Sequence, residues 1–184
     1  MRLPRPMPRI LWRSALPALL AAGALLGGCA SLKETGNEFF GREGLEARLR
    51  SPTSAAGGAV RVFDYRDGVA IQMTLSGVPF GTYRVALHER GNCTSPNLFS
   101  AGPAWAPAAS GKSPDDLLPQ FNTNSEGDVT SYNAFIKGVR VEGPLSLRGR
   151  VVVVHWGTKI VDAVPGQPNN RVACGVLDSL KSLF

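Results

Sequence analysis

The sequence predicts an all-β domain, a Greek-key β-sandwich or flattened barrel of about eight antiparallel strands with two long loops. Three observations carry the prediction. Apolar and polar residues alternate with period two along several short runs, the pattern of half-buried strands. Twenty-one Gly and 14 Pro among 184 residues favour turns over long helices. Hydrophobic residues are 43% of the chain and charged residues 18%, enough apolar material for a core, which excludes a chain disordered throughout.

The chain opens on a different pattern. Arg2, Arg5, Arg9 and Arg13 form a basic segment, no acid precedes Glu34, and Ala15–Leu26 is an apolar run broken by Pro17. That run is too short to span a bilayer, which takes about 20 apolar residues, and it reads as the export signal of residues 1–28. Leu26-Gly27-Gly28-Cys29 resembles a bacterial lipobox, in which cleavage precedes a cysteine that then carries lipid. Cys29 is therefore the expected lipidation site and the membrane the expected partner. Ala30 behind it points to an outer-membrane lipoprotein of the bacterial cell envelope facing the periplasm. Residues 29–43 read as a polar tether, and residues 44–184 as the folded domain.

Removing the signal takes the 20 basic residues to 16 against 14 acids, a net charge of +2 in place of +6. The basic character belongs largely to the signal and gives no support to nucleic-acid binding. Nothing in the sequence names a protein partner.

Within the domain the period switches to two from about residue 45. Val60–Tyr65 and Val69–Leu75 read as strands joined through Arg66-Asp67-Gly68, where Asp-Gly is a hairpin signal. Gly77–Gly81 is a turn. In Tyr83–Glu89, Tyr83, Val85 and Leu87 share one face and Arg84, Ala86 and His88 the other, so His88 is expected on the outer face beside Ala86. Residues 90–120 form a long irregular loop with Cys93 as a brace. A turn at Asn124–Gly127, a strand at Val129–Phe135 and the strongly β-type run Arg150–Gly157 follow. A second loop, Thr158–Asn170, leads to a last strand, Arg171–Leu177.

Residue counts restrict the chemistry. The chain has two histidines, His88 and His155, so three imidazoles cannot gather on one metal within a chain. It has three cysteines, and acylation of Cys29 leaves Cys93 and Cys174 as an even pair in an oxidising compartment. A bridge between them would close most of the domain into one loop, a constraint of about 4–5 kcal/mol in the chain-entropy model.

Several motifs then fall into one order: Leu87-His88-Glu89, Gly91-Asn92-Cys93, Ser100 to Pro107 with Gly102-Pro103-Ala104-Trp105-Ala106-Pro107, Val153-Val154-His155, and Arg171-Val172-Ala173-Cys174-Gly175-Val176. Over about residues 57–177 they resemble a copper/zinc superoxide dismutase. The resemblance implies a Greek-key β-sandwich and a Cys93–Cys174 disulfide. It also implies that Arg171 stands where the family places an arginine that attracts the superoxide anion.

The departures from that pattern concern the metals. The family's copper strand reads His-x-His-Glu, and here it is Ala86-Leu87-His88-Glu89. Its bridging histidine belongs in Gly-Pro-His, and here Ala104 stands there. Ser113-Pro114-Asp115-Asp116-Leu117-Leu118-Pro119 carries no histidine, and Leu117 takes the zinc aspartate position. Two candidate copper ligands remain, His88 and His155, and no zinc ligand. Asp115 and Asp116 alone suit zinc poorly, since zinc takes three or four ligands rich in N and S. No cofactor is therefore expected, with copper, or a haem, at His88 and His155 as the alternative, and no zinc.

The expected function is that of a lipid-anchored, dismutase-like envelope protein without catalysis. The alternative is copper binding or residual dismutation at the two histidines, and a third reading is a binding module presenting the 90–120 loop. The bland roles are plain: each histidine as a strand residue bonded to a loop, and Arg171 satisfying loop carbonyls with its five donors. Trp105, between Ala104 and Ala106, reads as an apolar plug where a metal would sit.

Overall fold

A computed structural model describes residues 44–89, 91–123, 130–161, 164 and 168–179. The expected signal, Cys29 and the tether lie outside these residues. Among those described the fold is all-β. Seven strands carry it: β1 (Gly44–Arg50), β2 (Gly57–Tyr65), β3 (Gly68–Ser76), β4 (Thr82–His88), β7 (Thr130–Lys137), β8 (Val151–Trp156) and β9 (Arg171–Val176). Three two-residue strands, β5 (Ala104–Trp105), β6 (Phe121–Asn122) and β10 (Asp178–Ser179), bring the number to ten, above the eight or so expected. Segments this short show no periodicity and exist only by pairing with a longer neighbour.

The strands form one antiparallel sheet in the order β5-β4-β8-β9-β1-β2-β3-β7, with β10 also on β1 and β6 also on β4. β9 returns from the far end of the chain to lie beside β1, which gives the Greek-key connection. The sheet curls on itself. A single apolar cluster takes Leu45, Ala47 and Leu49 from β1, Val60 and Val62 from β2, Ile71 and Met73 from β3, Val85 and Leu87 from β4, Ile136 from β7, Val152 and Val154 from β8, and Ala173 from β9. Alternation puts every one of these on the concave face.

The β2–β3 hairpin differs in detail from its prediction. Tyr65 pairs with Gly68, so the two turn residues are Arg66 and Asp67, and Arg66 carries the positive φ of 52°. Gly68 is glycine for a different reason: a Cβ there would lie 2.0 Å from the Ile136 carbonyl oxygen of β7. Lys137 pairs with Asp67 at 3.2 Å and holds its carboxyl below the usual range.

The first long loop is less irregular than expected. It contains 3₁₀ turns at Phe99–Ala101 and Ala108–Ser110, strand β5, and the helical turn α1 (Pro114–Leu117), which is capped by Ser113. Its first part covers the outer face of β4, β8 and β9. There Leu98 and Ala101 of the loop join Val151, Val153 and Cys174 in a second, smaller cluster, with Cys93 and Val176 packed against it.

Candidate functional site

The side chains of interest stand on that covered outer face. In the β4–β8 ladder His88 is opposite Val151, Ala86 opposite Val153, and Arg84 opposite His155. The rung between the two histidines is thus Ala86↔Val153, and the small side chain of Ala86 leaves that rung open beneath them. The rings lean together across it, with planes 12° apart and centroids separated by 5.3 Å. Their Nε2 atoms are 3.1 Å apart.

His88 is on the outer face, as alternation requires, yet it is fully buried, and so is His155. The loop supplies the cover. His88 Nδ1–H donates to the Gly102 carbonyl at 2.9 Å. His155 Nδ1–H donates to Asn170 Oδ1, also at 2.9 Å. The Asn170 amide is itself pinned: Oδ1 accepts from the Val161 N–H, and Nδ2 donates to the carbonyls of Trp156 and Lys159. Burial pushes His155 from its ordinary 6.5 down to about 3. The charges of His88 and Arg171 add to this, and the Asn170 hydrogen bond opposes it.

Arg171 lies opposite His155 in the β8–β9 ladder, where the register slips between Val154 and His155. Its guanidinium reaches back under the loop. Nη1 donates to the Leu98 carbonyl and Nη2 to the Gly102 carbonyl, both at 2.8 Å. The Gly102 oxygen therefore receives both Arg171 and His88. Beside this arrangement Cys93 and Cys174 form a disulfide with Cα atoms 5.8 Å apart, tying the loop to β9. Asn169 adds a bond from its Nδ2 to the Asn97 carbonyl.

Ala104 faces His88 across the β4–β5 ladder, and Trp105 faces Leu87. Trp105 consequently points to the core side, away from the histidines, and does not plug the space beside them. It packs against the main core with the Arg150 guanidinium 3.3 Å above its ring. Alternation within a strand too short to recognise decides this. In the segment where the resemblance places zinc ligands, both carboxylates accept hydrogen bonds within the protein. Asp115 Oδ1 accepts from the Ile160 N–H, Asp116 Oδ2 accepts from the Ser113 hydroxyl, and Leu117 is buried in the core. Arg84 bridges the two loops by donating to the Thr158 and Asp115 carbonyls.

Asn170 was not among the expected site residues. Its only cue was its place in Asn169-Asn170, an amide pair next to a strand, the kind of residue that bonds nearby backbone.

The donor set does not fit a copper or zinc centre. Among the described residues no three His, Cys, Asp or Glu side chains gather. Two nitrogens in line on a metal would stand roughly 4 Å apart, twice a metal–imidazole bond of about 2.0 Å. At 3.1 Å the pair could only hold two adjacent corners of a larger polygon, and Ala86 and Ala104 bring no donor to its other corners. Square-planar copper(II) needs those corners filled.

Residues 56–177 match the family model of copper/zinc superoxide dismutase (SODC).

Proposed function

The chain belongs to the copper/zinc superoxide dismutase family, and from that premise we propose that it is a non-catalytic member, a dismutase scaffold carried on a lipid anchor in the bacterial envelope. One observation carries the loss of catalysis: the two remaining histidines lie with their Nε2 atoms 3.1 Å apart and bond to loop acceptors through Nδ1, with alanines at the other two copper positions. Dismutation cycles a metal between two oxidation states at a position superoxide can reach. Here both rings are fully buried and the Arg171 guanidinium is engaged by two loop carbonyls. The sequence Leu26-Gly27-Gly28-Cys29 supports the anchor, and Ala30 supports the outer membrane facing the periplasm. Two buried acyl chains contribute about 0.8 kcal/mol per CH₂ group, enough for stable attachment.

The test of catalysis is pulse-radiolysis decay of superoxide over purified protein incubated with copper and zinc. The expected result is no acceleration beyond that of the unbound ions, and no zinc retained after desalting. A rate near the diffusional ceiling, about 10⁸–10⁹ M⁻¹s⁻¹, would overturn the reading. Intact-mass analysis tests the anchor: the expected mature chain starts at Cys29 with diacylglycerol attached, and a Cys29→Ser variant stays unprocessed. Unlipidated wild-type protein in the periplasmic fraction would refute it.

The convergence of His88 and His155 favours one second reading, copper binding or residual dismutation at two imidazoles. Copper titration followed by dialysis separates the two, because the first reading expects no stoichiometric metal.

A further inference from the structure

We infer that the outer face of β1, β2, β3 and β7, at the end where the chain enters β1, is a docking surface for the chain's own Phe39-Phe40 pair. This goes beyond the reading above and depends on neither a metal site nor its loss.

One cross-strand row builds the surface. Gly44 of β1 pairs with Phe63 of β2, Phe63 with Ala70 of β3, and Ala70 with Phe135 of β7. Val62, Ile71 and Ile136, next to them along the strands, point into the main core, so alternation turns Phe63, Ala70 and Phe135 outward. Two phenyl rings thus flank a single methyl group. Tyr65 extends the aromatic surface, edge-on to Phe135 with ring centroids 6.4 Å apart. The Phe135 ring leans over Gly68, where a Cβ would lie 2.8 Å from its Cζ. Large rings around small residues form a shape that receives another ring.

Phe135 is 42% exposed, whereas Phe63 on the same face is only 6% exposed and belongs to neither apolar cluster. Its ring lies against Gly44, where a Cβ would come 2.8 Å from Cδ1. The cover of Phe63 is therefore at the point where the described chain begins. The residues that arrive there are Glu38-Phe39-Phe40-Gly41-Arg42-Glu43, and Phe39 and Phe40 are the only large apolar side chains between Leu32 and Leu45. They lie four and five residues before Gly44, a reach of about 13–18 Å. Phe135 is three strand spacings from Gly44, about 14 Å. Gly41 permits the bend that brings the pair back over the sheet. With the pair seated, residues 29–38 rather than 29–43 span the distance from lipid to domain, a reach of about 35 Å in place of about 50 Å. That consequence alone rests on the lipid anchor.

The test uses the mature protein in detergent micelles, labelled with ¹³C-phenylalanine, the rings being assigned through Phe39→Leu, Phe40→Leu, Phe63→Leu and Phe135→Leu. Nuclear Overhauser contacts are expected from Phe39 or Phe40 to Phe63 and Phe135. Chymotrypsin reads the same contact: cleavage at the pair should be about tenfold faster in Ala70→Arg, which fills the surface from outside without entering the core. Should Ala70→Arg fail to fold, Phe39→Ser with Phe40→Ser leaves every strand intact and should lower the melting midpoint of the domain. No contact between the pair and the sheet, with equal cleavage rates, would overturn the inference. So would contacts from the pair to detergent or lipid acyl chains in place of the sheet, which would seat it in the membrane. Protection that rises with protein concentration while the mass doubles would assign the surface to a second copy, and overturn it too. Intact mass separates this from the anchor: an unacylated chain that keeps the contacts refutes the anchor alone, and an acylated chain without them refutes the docking alone.

Discussion

His155 couples the site to pH. In the folded protein burial, with the charges of His88 and Arg171, holds it down to about 3, against an ordinary 6.5. As pH falls through 6.5 the unfolded chain takes up a proton that the folded ring refuses, so the unfolded state gains. This contribution is intact above about pH 6.5 and is lost progressively as pH falls toward 3, with a slope approaching 1.4 kcal/mol per pH unit. Urea unfolding at pH 7, 5.5 and 4.5 should show the decline, and His155→Gln should flatten it. A wild-type midpoint constant over that range would contradict the buried, neutral His155. Arg171 belongs to the same scale. The sequence placed it by resemblance at an anion-attracting position, and its five donors made loop carbonyls the plainer partners. The structure gives it Leu98 and Gly102, both on the loop that buries the histidines.

Among the elements, what could be read in advance followed from length. The nine residues of β3 alternate four buried apolar side chains with exposed or half-buried ones, and no other conformation accounts for Val69, Ile71, Met73 and Leu75 together. β5, β6 and β10 have two residues each and were invisible for that reason. Trp105 was assigned to the wrong side as a consequence. Gly68 was read as a turn residue, whereas the approach of β7 demands it. Close backbone approach leaves no local signal, since glycine looks the same for either cause. Gly58 makes the point testable. A Cβ there would lie 1.9 Å from the Thr74 carbonyl oxygen of β3. Gly58→Ala should destabilise the fold by about 2–3 kcal/mol or prevent β2–β3 pairing, read as a lower denaturation midpoint. The disulfide was predicted both from cysteine parity and from the family resemblance, and it links the covering loop to β9. Cys93→Ser with Cys174→Ser should cost about 2–5 kcal/mol. Two reactive thiols per mature chain in denatured, unreduced protein would show the bridge absent.

Over the whole molecule, the chain keeps the all-β architecture of its family, and on the reading proposed above its metal ligands have been replaced. The main core, the Greek-key return of β9 beside β1 and the disulfide involve no histidine. Motif order and spacing made the family legible from the sequence. The closure of His88 on His155 was not, because it depends on Asn170 and Gly102 arriving from two loops. If the scaffold is intact, ligands alone are missing. Ala86→His with Ala104→His should then restore copper(II) binding, visible as a four-nitrogen signal in electron paramagnetic resonance, while zinc binding stays absent. A doubly substituted protein that folds yet shows no such signal would place the defect in the scaffold instead. The loop above the histidines has a further consequence in time. It is fastened to β9 through Cys93–Cys174 and Arg171, and to the neighbouring Asn169, and its own amides are bonded inward, Leu98 to Ser95, Ala101 to Leu98 and Gly102 to Phe99. A segment fastened at so many points lifts as one cooperative unit. These three amides should therefore exchange with deuterium at a common rate, and any solute reaching the two rings must wait for that same rare opening.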